Sequence, residues 1–281
     1  MATKSEFTTI RYSVEGPVAT ITLARPESAN AMSSVLIDEL DRALDLVEED
    51  NEVRVVILDG EGKHFCAGHD LKEILEESSD WTRMRSTPEG KLHHEFTMYW
   101  EKCLRLRDFP KPTIAAVQGV CAAAGLMLAT MCDLIIAADN AKFSNPVARM
   151  TGVGVELLIE PWEMGPRKAK EFLLCATTID AGEALRLGLA NRVVKLDQLS
   201  TEARLMADEV ALVPPITAQA IKETINHTVD LQGQREAWRY HFMVHQFVSN
   251  TETALGAMSN RKEAVREEGG LGSVKREQSG G

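Results

Sequence analysis

One local pattern occurs twice in this chain: a short apolar run, then a loop of small residues, then a helical segment. The apolar runs are VRVVILDG at 53–60 and TIAAVQG at 113–119, and the loops are FCAGHD at 65–70 and GVCAAAG at 119–125. Short, almost wholly apolar runs are typical of strands buried on both faces of a parallel sheet. Because strand, helix and strand recur in this way, the sequence predicts an α/β layered core with right-handed crossovers.

The N-terminal segments predict further elements of the same core. Residues 7–25 contain two β-rich runs on either side of Glu15-Gly16-Pro17, which predicts a hairpin. Residues 35–50 place apolar side chains on one helical face, and Ser33 or Ser34 can cap that helix.

The segment between the two loops is less regular. Residues 77–90 lack any periodicity, so we expect a mobile loop or lid there. Residues 91–109 have a helical pattern that Pro110 and Pro112 end. Farther on, DLIIAAD at 133–139 predicts another buried strand.

The chain divides into three parts by pattern. Residues 1–197 form the α/β core, and residues 198–268 are helical throughout in pattern. Residues 269–281 are rich in glycine and polar residues, so we expect a disordered tail.

Composition excludes several classes of function. The chain has 31 Lys+Arg against 42 Asp+Glu, a net charge of -11, which disfavours nucleic acid as a partner. The N-terminus lacks a signal-like apolar region, and no run of about 18 apolar residues occurs, so we expect no membrane segment and a cytoplasmic protein. Five scattered cysteines without a C-x-x-C pair predict reduced thiols, with neither disulfides nor a zinc site.

Several familiar motifs are absent or incomplete. His241 and His245 have the spacing of a two-histidine metal site, but no acid lies between them and no third ligand is evident, so we expect structural roles. GVGVEL at 152–157 lacks the third glycine of a dinucleotide-binding loop. Neither G-x-S-x-G nor the P-loop motif occurs.

The two small-residue loops could form a site from the backbone alone. Small residues between a strand and a helix allow main-chain N–H groups to point into a cleft, with the helix dipole behind them. Two such groups that converge on one point form an oxyanion hole. Taken singly, each loop is better explained as a tight packing turn.

Four motifs in a fixed order connect these loops to a known family. They are RPESANAM at 25–32, FCAGHDLKE at 65–73, the stretch from KPTIAAVQG through AAAG to AKF at 111–143, and DAGEALRLGLANRVV at 180–194. Over residues 7–265 the chain closely resembles the crotonase superfamily, the enoyl-CoA hydratase/isomerase family.

The resemblance implies a fold, an assembly and a ligand. The fold is a crotonase-like spiral of ββα units with a helical C-terminal trimerisation region, and the assembly is a homo-trimer or a dimer of trimers. The ligand is an acyl-CoA thioester, and coenzyme A enters only as part of the substrate, with no other cofactor and no metal. By position, the thioester oxygen would meet the backbone N–H groups of His69 and Ala124. The coenzyme A contacts would map to Ser28, Ala29, Ala67, His69, Asp70, Leu71 and Lys72.

The chain departs from the pattern of the family's hydratases at two positions. Those hydratases resemble one another in carrying two glutamates, and the matching positions here are Met127 and Val147. Addition of water needs a carboxylate base and a proton donor, and neither side chain supplies one. The ordinary two-glutamate hydration is therefore not expected here.

Another acid is available at Glu156. It follows the GVGV turn, where relatives that do other chemistry place a catalytic acid, and it is flanked by apolar residues. We expect Glu156 to act as the acid/base, although it could instead cap the next helix. Tyr99 and Trp100 lie in a stretch that lines the acyl pocket in relatives, where they would shape the pocket or belong to the core.

The sequence thus predicts an enzyme that stabilises a thioester enolate in a backbone oxyanion hole. Isomerisation, C–C cleavage and an unusual hydration all remain open. The alternatives are a non-catalytic acyl-CoA binding protein and a hydrolase of CoA thioesters or β-diketones on the same scaffold.

Overall fold

The computed structural model describes residues 7–75, 80–150 and 152–257. Its strands are β1 (Ile10–Glu15), β2 (Val18–Leu23), β3 (Val55–Gly60), β4 (Thr113–Val117), β5 (Val120–Ala122), β6 (Leu134–Ala138), β7 (Lys142–Ser144), β8 (Thr178–Asp180) and β9 (Arg192–Val194). Its helices are α1 (Ser34–Glu49), α2 (Leu71–Leu75), α3 (Asp80–Met84), α4 (Pro88–Glu95), α5 (Glu101–Asp108), α6 (Ala124–Thr130), α7 (Glu160–Leu174), α8 (Ala181–Leu187), α9 (Leu199–Ala211), α10 (Pro215–Leu231) and α11 (Gln234–Ser249).

The strands form two sheets, and the larger one confirms the predicted parallel core. Its order is β1-β2-β3-β4-β6-β9, in which only the β1–β2 hairpin is antiparallel. A smaller sheet has the order β5-β7-β8. The short β4–β5 connection joins the two sheets, so the loop that follows β5 starts between them.

The larger sheet is buried on both faces, as its apolar strands predict. Side chains alternate along a strand, so Val56 and Leu58 face the main core with α1, whereas Val55 and Ile57 face the opposite side. Helix α9 covers that opposite side with Ala203 and other small or apolar residues. The first helix of the C-terminal helical region is therefore a layer of the α/β core.

The predicted loop at 77–90 is wrong in part. Residues 76–79 lie outside the described residues, but α3 covers Asp80–Met84 and α4 begins at Pro88, where the Thr87 side chain accepts from the Gly90 N–H. The predicted helix at 91–109 is confirmed with its end at Asp108, and a π-helical turn, Phe96–Trp100, joins α4 to α5. Aperiodic sequence misled the prediction because these helices are too short for a clear stripe.

The C-terminal helices are tied to the core by buried charge. Lys222 on α10 forms a 2.8 Å ion pair with Asp133, whose carboxylate also accepts from the N–H of Thr113. On α5, Arg107 pairs with Asp230 at 2.9 Å and lies over the ring of Trp238. The part of the chain after residue 257, including the expected tail, lies outside the described residues. Among the helices described, none is long and apolar enough to cross a bilayer.

Candidate active site

The two small-residue loops lie side by side. The backbones of Cys66 and Cys121 form an isolated parallel β-bridge, and the Ala122 N–H donates to the Cys66 carbonyl at 2.9 Å. Gly125 allows this close approach, because a Cβ there would lie 2.3 Å from the Cys66 carbonyl oxygen. The loops were predicted separately, and the fold brings them into contact.

Each loop ends at one of the two predicted N–H donors. Within the described residues, neither the His69 nor the Ala124 N–H donates to a protein acceptor. Gly68 lies between them at φ +103°, and a Cβ on it would sit 3.4 Å from the Ala124 nitrogen. Ala123, just before α6, has φ 50° and ψ -117°, a conformation that favours glycine. The strained turn thus leaves the N–H groups of His69 and Ala124 without an acceptor within the described residues.

His69 and Ala123, the residue before Ala124, line a cavity of about 350 Å³ between the loops and helix α11. The cavity is large enough to hold a small acyl group, since pockets of this volume bury most of the surface of a bound ligand. Its wall includes Ala67, His69, Leu71, Arg85, Glu95, Ala123, Val147, Glu156 and His245.

Glu156 contributes a buried carboxylate to the cavity wall. It is 1% exposed, and its Oε2 lies 3.4 Å from His69 Nε2, at ion-pair range but without hydrogen-bond geometry. Burial is the largest influence and raises the pKa of Glu156, but His69 and His245 together outweigh it and leave the pKa below its usual value. The side chain is therefore a carboxylate at neutral pH.

Helix α11 fixes the backbone around Glu156. His241 Nε2 lies 2.7 Å from the Val155 carbonyl oxygen, and Trp238 Nε1 donates to the Leu158 carbonyl at 2.9 Å. The expectation that Glu156 starts or caps a helix is wrong, because α7 begins at Glu160 and Glu156 lies in a bent segment before it. His241 has the structural role that the sequence predicted.

A second charged group lies in the same wall. Glu95, at the end of α4, forms an ion pair of 2.5 Å with Arg85 Nη1, and its Oε2 lies 3.3 Å from His245 Nε2. Glu95, Glu156 and His245 each place one oxygen or nitrogen within 4.8 Å of the others, a spacing that could hold a metal ion. Arg85 already neutralises Glu95, which disfavours a further cation there.

The aromatic pair at 99–100 divides between site and core. The ring of Tyr99 packs against the His69 imidazole, with centroids 4.4 Å apart, and so limits the positions of that ring. Trp100 instead packs on Phe96 and Phe242, away from the residues that line the cavity. Of the two roles left open, Trp100 has the core role and Tyr99 supports the site.

The residues expected to contact coenzyme A lie on two docked segments. Ala67 N–H donates to the Ala29 carbonyl at 3.0 Å, which joins the 25–32 loop to the loop before α2. Asp70 is buried, pairs with Arg25 at 2.7 Å and accepts from the Lys72 N–H, so both oxygens serve the fold. Ser28 likewise donates to the Arg25 carbonyl. Leu71 lines the cavity, and the side chain of Lys72 is exposed.

The two positions without glutamate differ in their surroundings. Met127, on α6, is fully buried in the main core and is not among the residues that line the cavity. Val147 lines the cavity from a short 3₁₀ helix, Pro146–Met150. Neither position offers a polar atom to a ligand.

Sequence reasoning missed Glu95, Arg85 and the site role of His245. Nothing in their local pattern marks them, because they come from α4, the turn before it and α11, which only the fold brings together. The one available signal was an acid on a helix expected to line the pocket. Charged residues on helices are usually solvated, so that signal was weak.

Comparisons with known proteins identify the family of this chain. The sequence model of the enoyl-CoA hydratase/isomerase family matches residues 13–264. EchA13 of Mycobacterium tuberculosis, which carries an enoyl-CoA hydratase name, is 40% identical over 261 residues, covering 86% of this chain and 80% of that protein. The short-chain-enoyl-CoA hydratase of Clostridium acetobutylicum is 36% identical over 219 residues, covering 75% and 78%.

A solved structure of the same family has the same fold. The enoyl-CoA hydratase/isomerase of Xanthobacter autotrophicus Py2 superposes with a TM-score of 0.82 at 31% identity, covering 94% of each chain. The protein therefore has the crotonase-like α/β fold. It belongs to the enoyl-CoA hydratase/isomerase family and is an enzyme of that family.

Proposed function

We propose that this enzyme forms the enolate of an acyl-CoA thioester and that its reaction is the shift of a carbon–carbon double bond. The observation that carries the proposal is a buried carboxylate, Glu156, in the same cavity wall as two loops with unused N–H groups. The names of the relatives support an acyl-CoA substrate for this chain.

The N–H groups of His69 and Ala124 stabilise the enolate. The thioester oxygen gains negative charge when the α-proton leaves, and donors already fixed in place need no reorganisation at that moment. Removing one such donor typically costs about 3 kcal/mol of transition-state stabilisation. The strain at Ala123 is consistent with this role, since strained backbone persists where surrounding structure enforces it.

Glu156 is the base that starts the reaction. Its carboxylate takes the proton from the α carbon, the C–H electron pair becomes the enolate, and Glu156 becomes a carboxylic acid. With a β,γ-unsaturated acyl group the charge extends to the γ carbon. Protonation there completes the double-bond shift without a net gain or loss of protons.

Hydration by the two-glutamate route fits this site poorly. That route needs a water molecule held by two carboxylates, and the matching positions here are a core methionine, Met127, and an apolar wall residue, Val147. A double-bond shift moves only protons, so it needs no such water. The shift is therefore the reaction of this family that the side chains support best.

Coenzyme A and assembly complete the proposal. We infer that the segments 28–29 and 67–72 receive the coenzyme A part of the substrate, which enters with the acyl group, and that no other cofactor is required. We also propose a homo-trimer or a dimer of trimers, built through the C-terminal helices.

The test uses a 3-enoyl-CoA and crotonyl-CoA with wild type and Glu156→Gln. The expected result is conversion of the 3-enoyl thioester to its conjugated isomer, followed by absorbance, with a loss of about 100-fold or more in Glu156→Gln. Little water should add to crotonyl-CoA. Wild type that binds both esters without converting either would instead identify a non-catalytic binding protein, and release of free thiol would identify a hydrolase.

A further inference from the structure

The cavity wall contains a second carboxylate–imidazole pair besides Glu156 and His69. Glu95 on α4 and His245 on α11 are both buried, with 3.3 Å between Glu95 Oε2 and His245 Nε2. Both residues line the same cavity as Glu156. The site therefore contains two acids and two imidazoles, of which the proposed enolisation uses one acid.

Glu95 is held as a permanent carboxylate. Burial is the largest influence and raises its pKa, but Arg85 at 2.5 Å, His245 and Lys91 together outweigh burial and keep the pKa well below the usual range. The side-chain amide of Gln246 also donates to Glu95 Oε2. Because Glu95 cannot readily take up a proton, its part in the site is to orient and charge-stabilise its neighbour.

That neighbour is the imidazole of His245. A carboxylate that faces Nε2 keeps a proton on that nitrogen and fixes the orientation of the ring. The other nitrogen, Nδ1, is buried and has no hydrogen-bond partner within the described residues. A buried polar atom without a partner costs free energy unless a ligand or a reacting group uses it.

The distance between His245 and Glu156 fits two separate proton transfers on one acyl group. One ring nitrogen of His245 and one carboxylate oxygen of Glu156 lie within 4.8 Å of each other. The α and γ carbons of an acyl chain are two bonds apart, roughly 2.5 Å at ordinary bond lengths. Two proton-handling groups at this separation can address the two carbons of one bound acyl group.

We propose that His245, oriented by Glu95, is a second catalytic acid/base, and that it protonates the γ carbon of the dienolate that Glu156 forms. The proposal rests on the proposed function. Glu156 takes the α-proton, the imidazolium gives its Nδ1 proton to the γ carbon, and the double bond moves between the α and β carbons. Glu156 then returns its proton to His245, so one C–H bond breaks, one forms and both groups are restored.

The experiment separates the two proton transfers. Hex-3-enoyl-CoA is incubated in D₂O with each variant, and exchange of the α-protons and appearance of the conjugated isomer are followed by NMR. In His245→Gln we expect α-proton exchange within about threefold of wild type and a loss of the double-bond shift of about 100-fold or more. His245→Asn serves as a second variant, and circular dichroism checks the fold of each.

Two further variants sharpen the assignment. Glu95→Gln should show the same split, because Glu95 is the positioning residue for His245. His227→Gln, an exposed histidine on α10, should leave both rates unchanged.

Each outcome decides the proposal. Folded His245 variants that shift the double bond at the wild-type rate would overturn it, and equal loss of both reactions would leave His245 a merely structural role. Wild type that exchanges no α-proton would instead overturn the proposed function itself, and the role of His245 with it.

Discussion

Glu156 illustrates how neighbouring imidazoles set the state of a buried acid. Burial on its own would favour the neutral form, which is a poor base. The imidazole of His69, at 3.4 Å, and that of His245 together reverse that tendency, so the pKa of Glu156 lies below its usual 4.5. The active form is the carboxylate, which exists above the lowered pKa and is lost as the pH falls through it.

The pH dependence follows from this sign. We expect the acid limb of kcat/KM for the double-bond shift that reports protonation of Glu156 to have its midpoint below pH 4.5. In His69→Gln the attraction of the His69 imidazole is gone while the backbone N–H remains, so the acid limb should move to higher pH. Circular dichroism at each pH separates this limb from acid unfolding, and an unmoved limb in His69→Gln would contradict the assignment.

Residue identity explains what the sequence could predict and what it could not. Small residues between a strand and a helix indicated that a backbone site could form, but only the family resemblance assigned it to the N–H groups of His69 and Ala124. The acid/base role of Glu156 stays a prediction, and the alternative that it caps the next helix is wrong because α7 begins at Glu160. The contact of Glu95 with His245 depends on packing between α4 and α11, which periodicity does not encode.

Among the elements, helix α6 is the one whose position the site depends on most. It begins at Ala124, and Gly125 brings its first turn against the Cys66 carbonyl. A strand and a helix that meet backbone to backbone leave no space for a side chain. The two loops keep their relative position only while this contact holds.

Gly125→Ala tests that contact. The added Cβ would lie 2.3 Å from a backbone oxygen, so the loops must separate, and we expect both a loss of stability of about 1–3 kcal/mol and a large loss of activity. Gly182→Ala is the matched control, because its Cβ would meet only Asp180 Oδ1 at an ordinary 3.5 Å. Urea unfolding and the isomerase assay measure the two effects, and a fully active Gly125→Ala protein would contradict the account of the loops.

Between elements, the π-helical turn is the feature that sequence patterning misses. A helical pattern at 91–109 predicts one uninterrupted helix, whereas the structure widens it at Phe96–Trp100. Such turns are frequent at functional sites. Here the turn comes directly after Glu95 and contains Tyr99, so it sets the positions of both residues relative to the cavity.

At the scale of the whole molecule, the C-terminal helices expose an apolar face. Ile216, Ile221 and Ile225 on α10 are 74%, 53% and 58% exposed. The buried Lys222–Asp133 pair fixes the same helix to the core. Ile221 and Ile225, four residues apart, lie on one face of α10. Exposed apolar side chains that lie together mark interaction surfaces, and the family resemblance implies that the partners are copies of this chain.

Charged substitutions on this exposed apolar face test the proposed assembly. We expect wild type to have three or six times the mass of one chain in light scattering, and Ile221→Asp combined with Ile225→Asp to be monomeric, because charges would be buried in the interface. Val35→Asp, which places a charge at an exposed apolar position on α1, should keep the wild-type mass. A monomeric wild type would contradict the predicted trimer or dimer of trimers.

The position of α11 along the chain has a consequence for biosynthesis. A ribosome delivers the N-terminal part of a protein first. The small-residue loops and Glu156 emerge before helix α11, which carries Trp238, His241 and His245. A product that stopped before α11 would therefore lack the contacts that hold the backbone around Glu156 and, in the mechanism we propose, the imidazole of His245. The proposed enolate would then form only after α11 has been synthesised and has packed on the core.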